Sequence, residues 1–365
     1  MATTADISET SRAPGEGLFV FDRRTDRLEG AGAAERMAFA VLRLGSVLTM
    51  PFGHRGYRLG CAVVAGGMQP RDIAIRLNDD AVFSIPFSDG YWSRLLNPGY
   101  DYEDEIELLL RGAAAVDYTF VDGGANFGYW SVVASSAPFG SKDVLAIEAA
   151  PANARRLESN NALNGGRLRC LHAAIGRSPG HVRITGDRHE TLATEQVGEG
   201  CADAVRRVSL DGLVMAGQID ARRPVIVKLD VEGVEIDAIE GARALAARDC
   251  LFICEEHGND PFHALTRHLM GRTALRVYAF DPTAGNFVRV DELAVLDRLK
   301  RHPWVGYNVF ATASPLWEEV IRGTTRGGAM IATVRPLGSH ARACSDIDLE
   351  QARAAPASTC CHGRT

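Results

Sequence analysis

The sequence predicts an α/β fold in which a mostly parallel, buried sheet is covered by helices on both faces. Short apolar runs that are typical of buried strands alternate along the chain with segments that carry apolar residues at helical spacing. Several of these runs end in an acidic residue or a glycine turn, as strands do at the ligand-binding edge of an open sheet. Helices between buried strands indicate that both faces of the sheet are covered.

Ahead of this sheet, the sequence predicts a lead-in, a helix, a hairpin and a second helix. We expect residues 1 to about 30 to be flexible. Ala33–Leu48 carries an apolar stripe at helical spacing. Asp72–Pro86 alternates apolar and polar residues around an Asn-Asp-Asp turn, as a β-hairpin does. Asp101–Gly112 begins with acids and ends at a glycine, which favours a helix.

The strands and helices of the sheet itself follow in alternation. The predicted strands are Tyr118–Val121, Val144–Ile147, Leu168–Ala174, Val225–Leu229, Leu251–Cys254, Val277–Phe280, Phe287–Val290 and Tyr307–Ala311. The predicted helices are Tyr129–Ala137, Pro151–Leu163, a segment from Asp230 to about Ala247, and Pro261–Met270. A further hairpin is predicted at His181–Thr185.

Composition and charge indicate a globular protein, with 46% hydrophobic and 24% charged residues. The formal net charge of −6 gives no reason to expect a nucleic-acid partner. The early apolar stretch Ala31–Met50 is interrupted by charges, so we expect a cytoplasmic protein without a membrane partner. The pattern predicts three parts: an N-terminal extension (1–70) that is partly helical or disordered, an α/β domain (71–315) and a largely disordered tail (316–365). It does not determine an oligomeric state.

A glycine turn follows the first strand of the predicted sheet, with the sequence Val-Asp-Gly-Gly-Ala-Asn-Phe-Gly over residues 121–128. A strand, a glycine turn and a helix form the usual nucleotide-binding arrangement. A carboxylate at Asp122 would repel a pyrophosphate, but it suits a ligand with a cationic head. S-adenosylmethionine is such a ligand, whereas an ordinary turn whose glycines serve only packing is the alternative.

Acidic residues also end later strands. Glu148 follows the second strand, where an acid can accept hydrogen bonds from both ribose hydroxyls. Asp230 and Glu232 follow Val225–Leu229, and Lys228 lies on the same strand face as Asp230, so that the two can form an ion pair. A structural ion pair at the strand end is the alternative to a role in catalysis.

His257 is the candidate general base, because imidazole titrates near neutral pH and this residue follows the next strand. A purely structural histidine is the alternative. A metal site formed by Asp230, Glu232 and His257 is conceivable, but the spacing is not that of metal ligands, and we expect no metal.

The order of these motifs resembles the FkbM family of S-adenosylmethionine-dependent methyltransferases. The resemblance rests on Val-Asp-Gly-Gly-Ala-Asn-Phe-Gly-Tyr-Trp-Ser, on Ile-Glu-Ala-Ala-Pro and on Val-Lys-Leu-Asp-Val-Glu-Gly-Val-Glu, and it extends from about Phe83 to Thr312. It implies a class I, Rossmann-like methyltransferase fold with a seven-stranded sheet. Gly123 departs from the family pattern, which usually has a branched apolar residue there.

The resemblance also implies roles for individual residues. The cofactor S-adenosylmethionine would be held by Asp122, Gly124, Asn126, Gly128, Glu148, Ala173 and Ala174. Asp211 would lie near the adenine. Asp230, Glu232 and His257 would face the methyl acceptor.

The expected activity is O-methylation of a hydroxyl group on a sugar, a glycan or a polyketide-type small molecule. A nicotinamide-dependent oxidoreductase is one alternative, although the chain lacks Gly-x-Gly-x-x-Gly at the turn. A non-catalytic binding module on the same fold is another.

Overall fold

The computed structural model describes residues 18–189, 191–198, 200–258, 260–300 and 306–327. Predictions for residues 1–17, and for the tail from residue 328 onward, lie outside this part of the chain. Within it, residues 18–30 are not a loose lead-in, because they contribute two strands to a small sheet. At the start of the predicted tail, the sequence of Leu316–Ile321 has the pattern of a helix, and this segment does form one.

The strands are numbered along the chain. They are β1 (Phe19–Asp22), β2 (Arg27–Glu29), β3 (Asp72–Asn78), β4 (Ala81–Pro86), β5 (Thr119–Gly123), β6 (Asp143–Glu148), β7 (Leu168–His172), β8 (Ala174–Ile175), β9 (Gly180–Arg188), β10 (Thr191–Val197), β11 (Ala204–Val208), β12 (Val225–Leu229), β13 (Cys250–Glu256), β14 (Arg276–Asp281), β15 (Asn286–Arg289) and β16 (Tyr307–Thr312).

The α-helices are numbered in the same way. They are α1 (Ala33–Thr49), α2 (Tyr57–Gly66), α3 (Asp104–Gly112), α4 (Tyr129–Ala134), α5 (Pro151–Leu163), α6 (Leu210–Met215), α7 (Glu235–Glu240), α8 (Arg243–Ala246), α9 (Ala264–Arg272), α10 (Ala294–Leu299) and α11 (Pro315–Gly323). The segment predicted as one helix up to Ala247 is thus two short helices, α7 and α8.

The main sheet has the strand order β15-β14-β16-β13-β12-β5-β6-β7. The five strands from β13 to β7 are parallel to one another, and β16, β14 and β15 each pair antiparallel with their neighbours. The predicted class I methyltransferase fold with a mostly parallel sheet is therefore confirmed. The sheet has eight strands rather than seven, because β15 forms a hairpin with β14 at the edge.

Alternate residues of the central strands enter two separate hydrophobic cores, one on each face of the sheet. Phe120 and Ile226 belong to the first core, with Leu157 of α5 and Trp317 of α11. Val121 belongs to the second core, which takes in α6 to α10. Both faces are therefore covered by helices, as the continuous apolar strands predict.

Two smaller sheets complete the structure: β2-β1-β3-β4 and β10-β9-β11-β8. The first includes the predicted hairpin Asp72–Pro86. In the second, residues 181–185, predicted as a hairpin, lie within one strand, β9, which forms a longer hairpin with β10. The stripe Met37, Val41, Leu44 and Leu48 on α1 is exposed, whereas Phe39 and Leu42 of the same helix are buried. In the described parts of the chain, every helix is too short or too polar to cross a bilayer.

Candidate active site

A cavity of about 480 Å³ lies at the carboxyl edge of the main sheet, where β5, β6, β12 and β13 end. Small-molecule sites usually have volumes of about 300–1,000 Å³. Nine of the ten site residues predicted from the sequence line this cavity: Asp122, Gly124, Asn126, Glu148, Ala173, Ala174, Asp230, Glu232 and His257. The tenth, Gly128, lies behind the lining.

The glycine turn lets the chain pass directly against the end of β12. Gly124 has a φ of +77°, and a Cβ atom at this position would lie 1.8 Å from the carbonyl oxygen of Asp230. Only glycine fits there. Gly128 has a φ of +89° at the start of α4, and its Cβ would lie 2.5 Å from a methyl group of Leu157. The position of Gly128 is thus explained by helix packing.

Packing also explains the departure at Gly123 from the family pattern. A Cβ at this position would lie 2.6 Å from Cδ1 of Ile175 and 3.1 Å from Cδ2 of Leu229. Ile175 of β8 therefore occupies the space that a branched residue would take, and the turn remains tightly packed.

Glu148 is buried at the end of β6 and bound by two backbone N–H groups. Its carboxylate accepts hydrogen bonds from the N–H of Asn126 and from the N–H of Ala150, each at 2.7 Å. Asn126 itself has a φ of +52°, so the backbone is left-handed at this point of the turn. Burial raises the pKa of Glu148 to about 7, although the two N–H groups oppose this shift. Its ionisation therefore changes near neutral pH.

Asp122 is buried beneath the glycine turn, with a relative exposure of 1%. Its carboxylate accepts a hydrogen bond of 2.6 Å from the hydroxyl of Ser131 on α4. Burial raises the pKa of Asp122, and the ammonium group of Lys228 partly offsets that effect.

Lys228 is a buried cation within β12. Its amine lies 3.1 Å from the carboxylate of Asp230, so the predicted pair is confirmed. Burial disfavours the charged amine, but the surrounding carboxylates outweigh burial and raise the pKa of Lys228. In order of effect, these carboxylates are Asp230, Glu103 and Asp122. In turn, Lys228 outweighs the burial of Asp230 and lowers the pKa of that residue.

Glu255 and Glu103 extend this acidic cluster, and sequence reasoning missed both. Glu255, on β13, shares a hydrogen bond with Asp230. Burial, as the larger cause, and the negative charge of Asp230 raise the pKa of Glu255 well above its usual range. This favours the neutral acid, which donates to Asp230. Glu103 precedes α3 and accepts hydrogen bonds from the indole N–H of Trp130 at 2.6 Å and from Asn308 at 3.0 Å. The available signal for Glu255 was its position two residues before His257, because side chains two residues apart on a strand point to the same face.

His257 and Glu232 lie on neighbouring loops at the open side of the cluster. A Cβ on Gly233 would lie 3.9 Å from Nε2 of His257, which places the two loops side by side. Glu232 has a φ of +54°. The carboxylate of Glu235 holds this loop, because it accepts hydrogen bonds from the N–H groups of Val231 at 3.1 Å and Gly233 at 3.2 Å.

Aromatic side chains form one wall of the cavity, and these too were missed. They are Tyr91, Trp92, Tyr102, Tyr129 and Trp130. Trp92 stacks on Tyr129 with 5.6 Å between ring centroids, and Tyr102 stacks on Trp130 at 6.1 Å. The concentration of aromatic residues between positions 91 and 102, just ahead of the sheet, was the available signal.

His189, in the turn between β9 and β10, also lines the cavity. The carbonyl oxygen of His189 accepts hydrogen bonds from the side-chain amides of Asn126 at 2.7 Å and Asn153 at 2.9 Å. Its imidazole lies 2.8 Å from the carboxylate of Asp89 and stacks on Phe127, with 4.7 Å between centroids. Contacts between distant segments thus fix the turn beside the glycine loop.

Two further acids have structural roles. Asp211, expected near the adenine, instead accepts hydrogen bonds from the N–H groups of Ala244 and Leu245, both at 3.0 Å, at the start of α8. It is not among the residues that line the cavity. Glu256 accepts a hydrogen bond from Thr266 at the start of α9. Among the described residues, no group of three or more His, Cys, Asp or Glu side chains is arranged to hold a metal ion.

The profile of the Methyltransferase FkbM domain matches residues 122–286, which include the end of β5 and all of β6, β12 and β13. A curated relative, the hexuronic acid methyltransferase AglP of Haloferax volcanii, is 28% identical over 160 residues; the match covers 44% of this chain and 64% of that protein. The chain thus spans less than two thirds of the relative's length.

The solved structures to which the chain is similar include two methyltransferases. A methyltransferase FkbM from Methylobacillus flagellatus KT is 15% identical, with a TM-score of 0.36 over 76% of this chain and 58% of that chain. A precorrin-6y C5,15-methyltransferase from Geobacter metallireducens GS-15 is 13% identical, with a TM-score of 0.32 over 59% and 90% of the respective chains. Residues 122–286, just under half of the chain, are thus similar to the methyltransferase FkbM domain, and the strand order and the glycine turn agree with that similarity.

Proposed function

We propose that the protein is an S-adenosylmethionine-dependent methyltransferase that methylates a hydroxyl group of a sugar-type small molecule or glycan. The observation that carries this proposal is the pair of buried carboxylates, Asp122 and Glu148, on either side of the glycine turn in the segment that is similar to the FkbM domain. That similarity supports a methyl transfer, and these two acids support the choice of cofactor.

The chemistry of the turn fits S-adenosylmethionine better than a dinucleotide. The N–H groups of Gly124 and Ala125 both donate to the carbonyl oxygen of Ile147 at 3.0 Å, so they are not directed at a phosphate. Asp122 adds a carboxyl group below them. A ligand with an ammonium group, a sulfonium and ribose hydroxyls matches these acceptors, whereas a pyrophosphate does not.

Three parts of the cavity would hold the cofactor. Asp122 would face its cationic end, Glu148 would accept hydrogen bonds from the ribose, and the small side chains of Ala173 and Ala174 would leave room for the adenine. When bound, S-adenosylmethionine supplies a methyl group and leaves as a neutral thioether, so the acceptor hydroxyl must lose its proton. The protein contributes alignment, exclusion of water and a base.

His257 is the residue that we assign as this base. Asp230 is a weaker candidate, because Lys228 lowers its pKa and lies 3.1 Å from its carboxylate. We assign Asp230 and Glu232 to the orientation of the acceptor hydroxyl. His257→Ala is expected to lower kcat about 100-fold while leaving the affinity for S-adenosylhomocysteine unchanged. Turnover assays and calorimetry check this, and equal losses in both quantities would show that His257 is structural.

Glu148 is expected to make cofactor binding depend on pH. Ribose hydroxyls donate to the ionised carboxylate, which is lost as pH falls through its pKa of about 7. The affinity for S-adenosylhomocysteine should therefore decrease on the order of tenfold from pH 8 to pH 6. Calorimetry at both pH values measures it.

Glu148→Gln is the matched control for this pH dependence, because it keeps the shape of the side chain and removes the titration. We expect weaker binding at pH 8 and little change from pH 8 to pH 6. A variant that retains the wild-type affinity and slope would remove Glu148 from the ribose site.

The alternatives predict different ligands. A thermal-shift comparison of NAD with S-adenosylhomocysteine separates an oxidoreductase from a methyltransferase, and we expect stabilisation by S-adenosylhomocysteine alone. A non-catalytic binding module would bind this ligand but would transfer no labelled methyl group into a cell extract.

A further inference from the structure

We propose that the acceptor half of the cavity is built for a hydroxylated ring without negative charge, so that a neutral sugar-type acceptor is preferred over a uronate. The inference rests on the proposed methyl transfer and names the acceptor class. It distinguishes this chain from the curated relative, whose name specifies a hexuronic acid.

The charges that line this half are the first argument. Asp230, Glu232 and Glu255 each bring a carboxyl group to the lining. Among the described lining residues, Lys228 is the sole lysine or arginine, and its side chain is 4% exposed, with its amine on Asp230. The negative charge comes from Asp230 and Glu232, because Glu255 donates to Asp230 as the neutral acid. An acceptor carboxylate would therefore meet negative charge and no accessible lysine or arginine among the described lining residues, and like charges at short range repel.

Glu103, a carboxylate outside the cavity lining, strengthens this argument. The carboxylate of Glu103 accepts hydrogen bonds from Trp130 and Asn308, so it is fixed beside the cluster and contributes to the field around Lys228. The amine of Lys228 is therefore already surrounded by acids. A uronate would have to compete with these fixed groups for the same cation.

The backbone makes room for one of the carboxyl groups. A Cβ at Gly306 would lie 1.9 Å from Oε1 of Glu255. The absence of a side chain at this position lets Glu255 occupy the cavity wall instead of turning away. The acidic lining is thus accommodated by the fold around it.

The aromatic wall supplies the complementary surface. The hydroxyl groups of Tyr91 and Tyr102 are 3.0 Å apart, and their rings, with that of Trp130, line the cavity together with the acids. Aromatic faces provide apolar contact for the C–H face of a sugar ring, while carboxylates accept hydrogen bonds from its hydroxyl groups. Together these groups recognise a neutral polyhydroxylated ring.

The test compares methyl glucoside with methyl glucuronide, which differ only in that the glucuronide has a carboxylate where the glucoside has a hydroxymethyl group. Methyl transfer gives kcat/KM for each, and calorimetry with the S-adenosylhomocysteine complex gives each affinity without turnover. Because like charges repel at short range, we expect kcat/KM to be at least about 30-fold higher for the glucoside. We also expect the glucoside to bind more tightly than the glucuronide. Equal or better use of the glucuronide, in rate or in binding, would overturn the inference.

Glu232→Gln provides a second measurement, and Glu319→Gln is the control for a change of net charge outside the cavity lining. Removal of the charge at Glu232 should reduce the glucoside-to-glucuronide ratio about fivefold, whereas the control should leave it unchanged. A partial loss of folded protein lowers the rates with both glycosides equally, so it leaves this ratio unchanged. Identical ratios in the wild type and Glu232→Gln would contradict the assignment.

The proposed function and this inference fail in different ways. If the protein does not bind S-adenosylhomocysteine, the proposed cofactor is wrong. If it binds S-adenosylhomocysteine but neither glycoside, in turnover or in calorimetry, the sugar-type acceptor is wrong and the inference falls with it.

Discussion

Gly124→Ala is expected to prevent stable folding, or to lower the free energy of unfolding by more than about 4 kcal/mol. A Cβ at this position would lie 1.8 Å from the carbonyl oxygen of Asp230 and 2.7 Å from its carbonyl carbon. These are backbone atoms at the end of a central strand, so relief of the overlap requires β5 and β12 to separate. The φ of +77° adds the strain of a left-handed conformation. Denaturant unfolding followed by circular dichroism measures the loss.

Gly165→Ala separates the overlap from the backbone strain. Gly165 has the same φ of +77°, but a Cβ there meets nothing within 4 Å. We expect a cost of about 1 kcal/mol from backbone strain alone. Similar losses for the two variants would show that the contact with Asp230 is not what requires glycine at position 124.

Lys228→Met is expected to lower the free energy of unfolding by about 3–5 kcal/mol at neutral pH, because removal of one partner leaves buried carboxylates without compensation. Methionine retains much of the apolar stem of lysine. The carboxylate of Asp230, now without the ammonium group at 3.1 Å, would be left in a buried acidic cluster. Denaturant unfolding at pH 7 measures the effect.

The pH dependence of this variant gives a sharper check. Without Lys228, burial raises the folded-state pKa of Asp230 above its unfolded value, so stability is lost as pH rises between the two pKa values. The variant should therefore approach the wild type at acidic pH and differ most at neutral pH.

Arg222→Met is the matched control, since the side chain of Arg222 is 90% exposed in its pair with Asp220. We expect little change in stability there. A loss at Lys228 no larger than the loss at Arg222 would contradict the role of the buried cation.

The main sheet was predictable because its strands are locally encoded. Val225–Leu229 was predicted with its observed bounds, and the pairing of Lys228 with Asp230 follows from strand periodicity alone. Continuous apolar runs are typical of strands that are buried on both faces. The small sheet at the N-terminus was not foreseen, because β1 pairs with β3 across some fifty intervening residues.

The site was predictable only in part, for a similar reason. Asp122, Glu148 and Asp230 end strands of a parallel sheet, so their common edge follows from topology. Glu103 and Tyr91 precede that sheet, and only tertiary contacts bring Tyr91 to the cavity and Glu103 to the indole of Trp130 beside it. The role of Asp211 at the start of α8 was not predictable, because an acid near a strand end caps a helix as readily as it lines a pocket.

The position of β16 has a consequence for the order in which the protein assembles during translation. This late strand lies between β13 and β14, so the β14–β15 hairpin, although synthesised earlier, has no place in the main sheet until β16 leaves the ribosome. A nascent chain that ends near residue 300 would expose the edge of β13 and an unattached hairpin. Completion of the sheet is therefore a late event, and until then the growing polypeptide presents unpaired edges that favour aggregation.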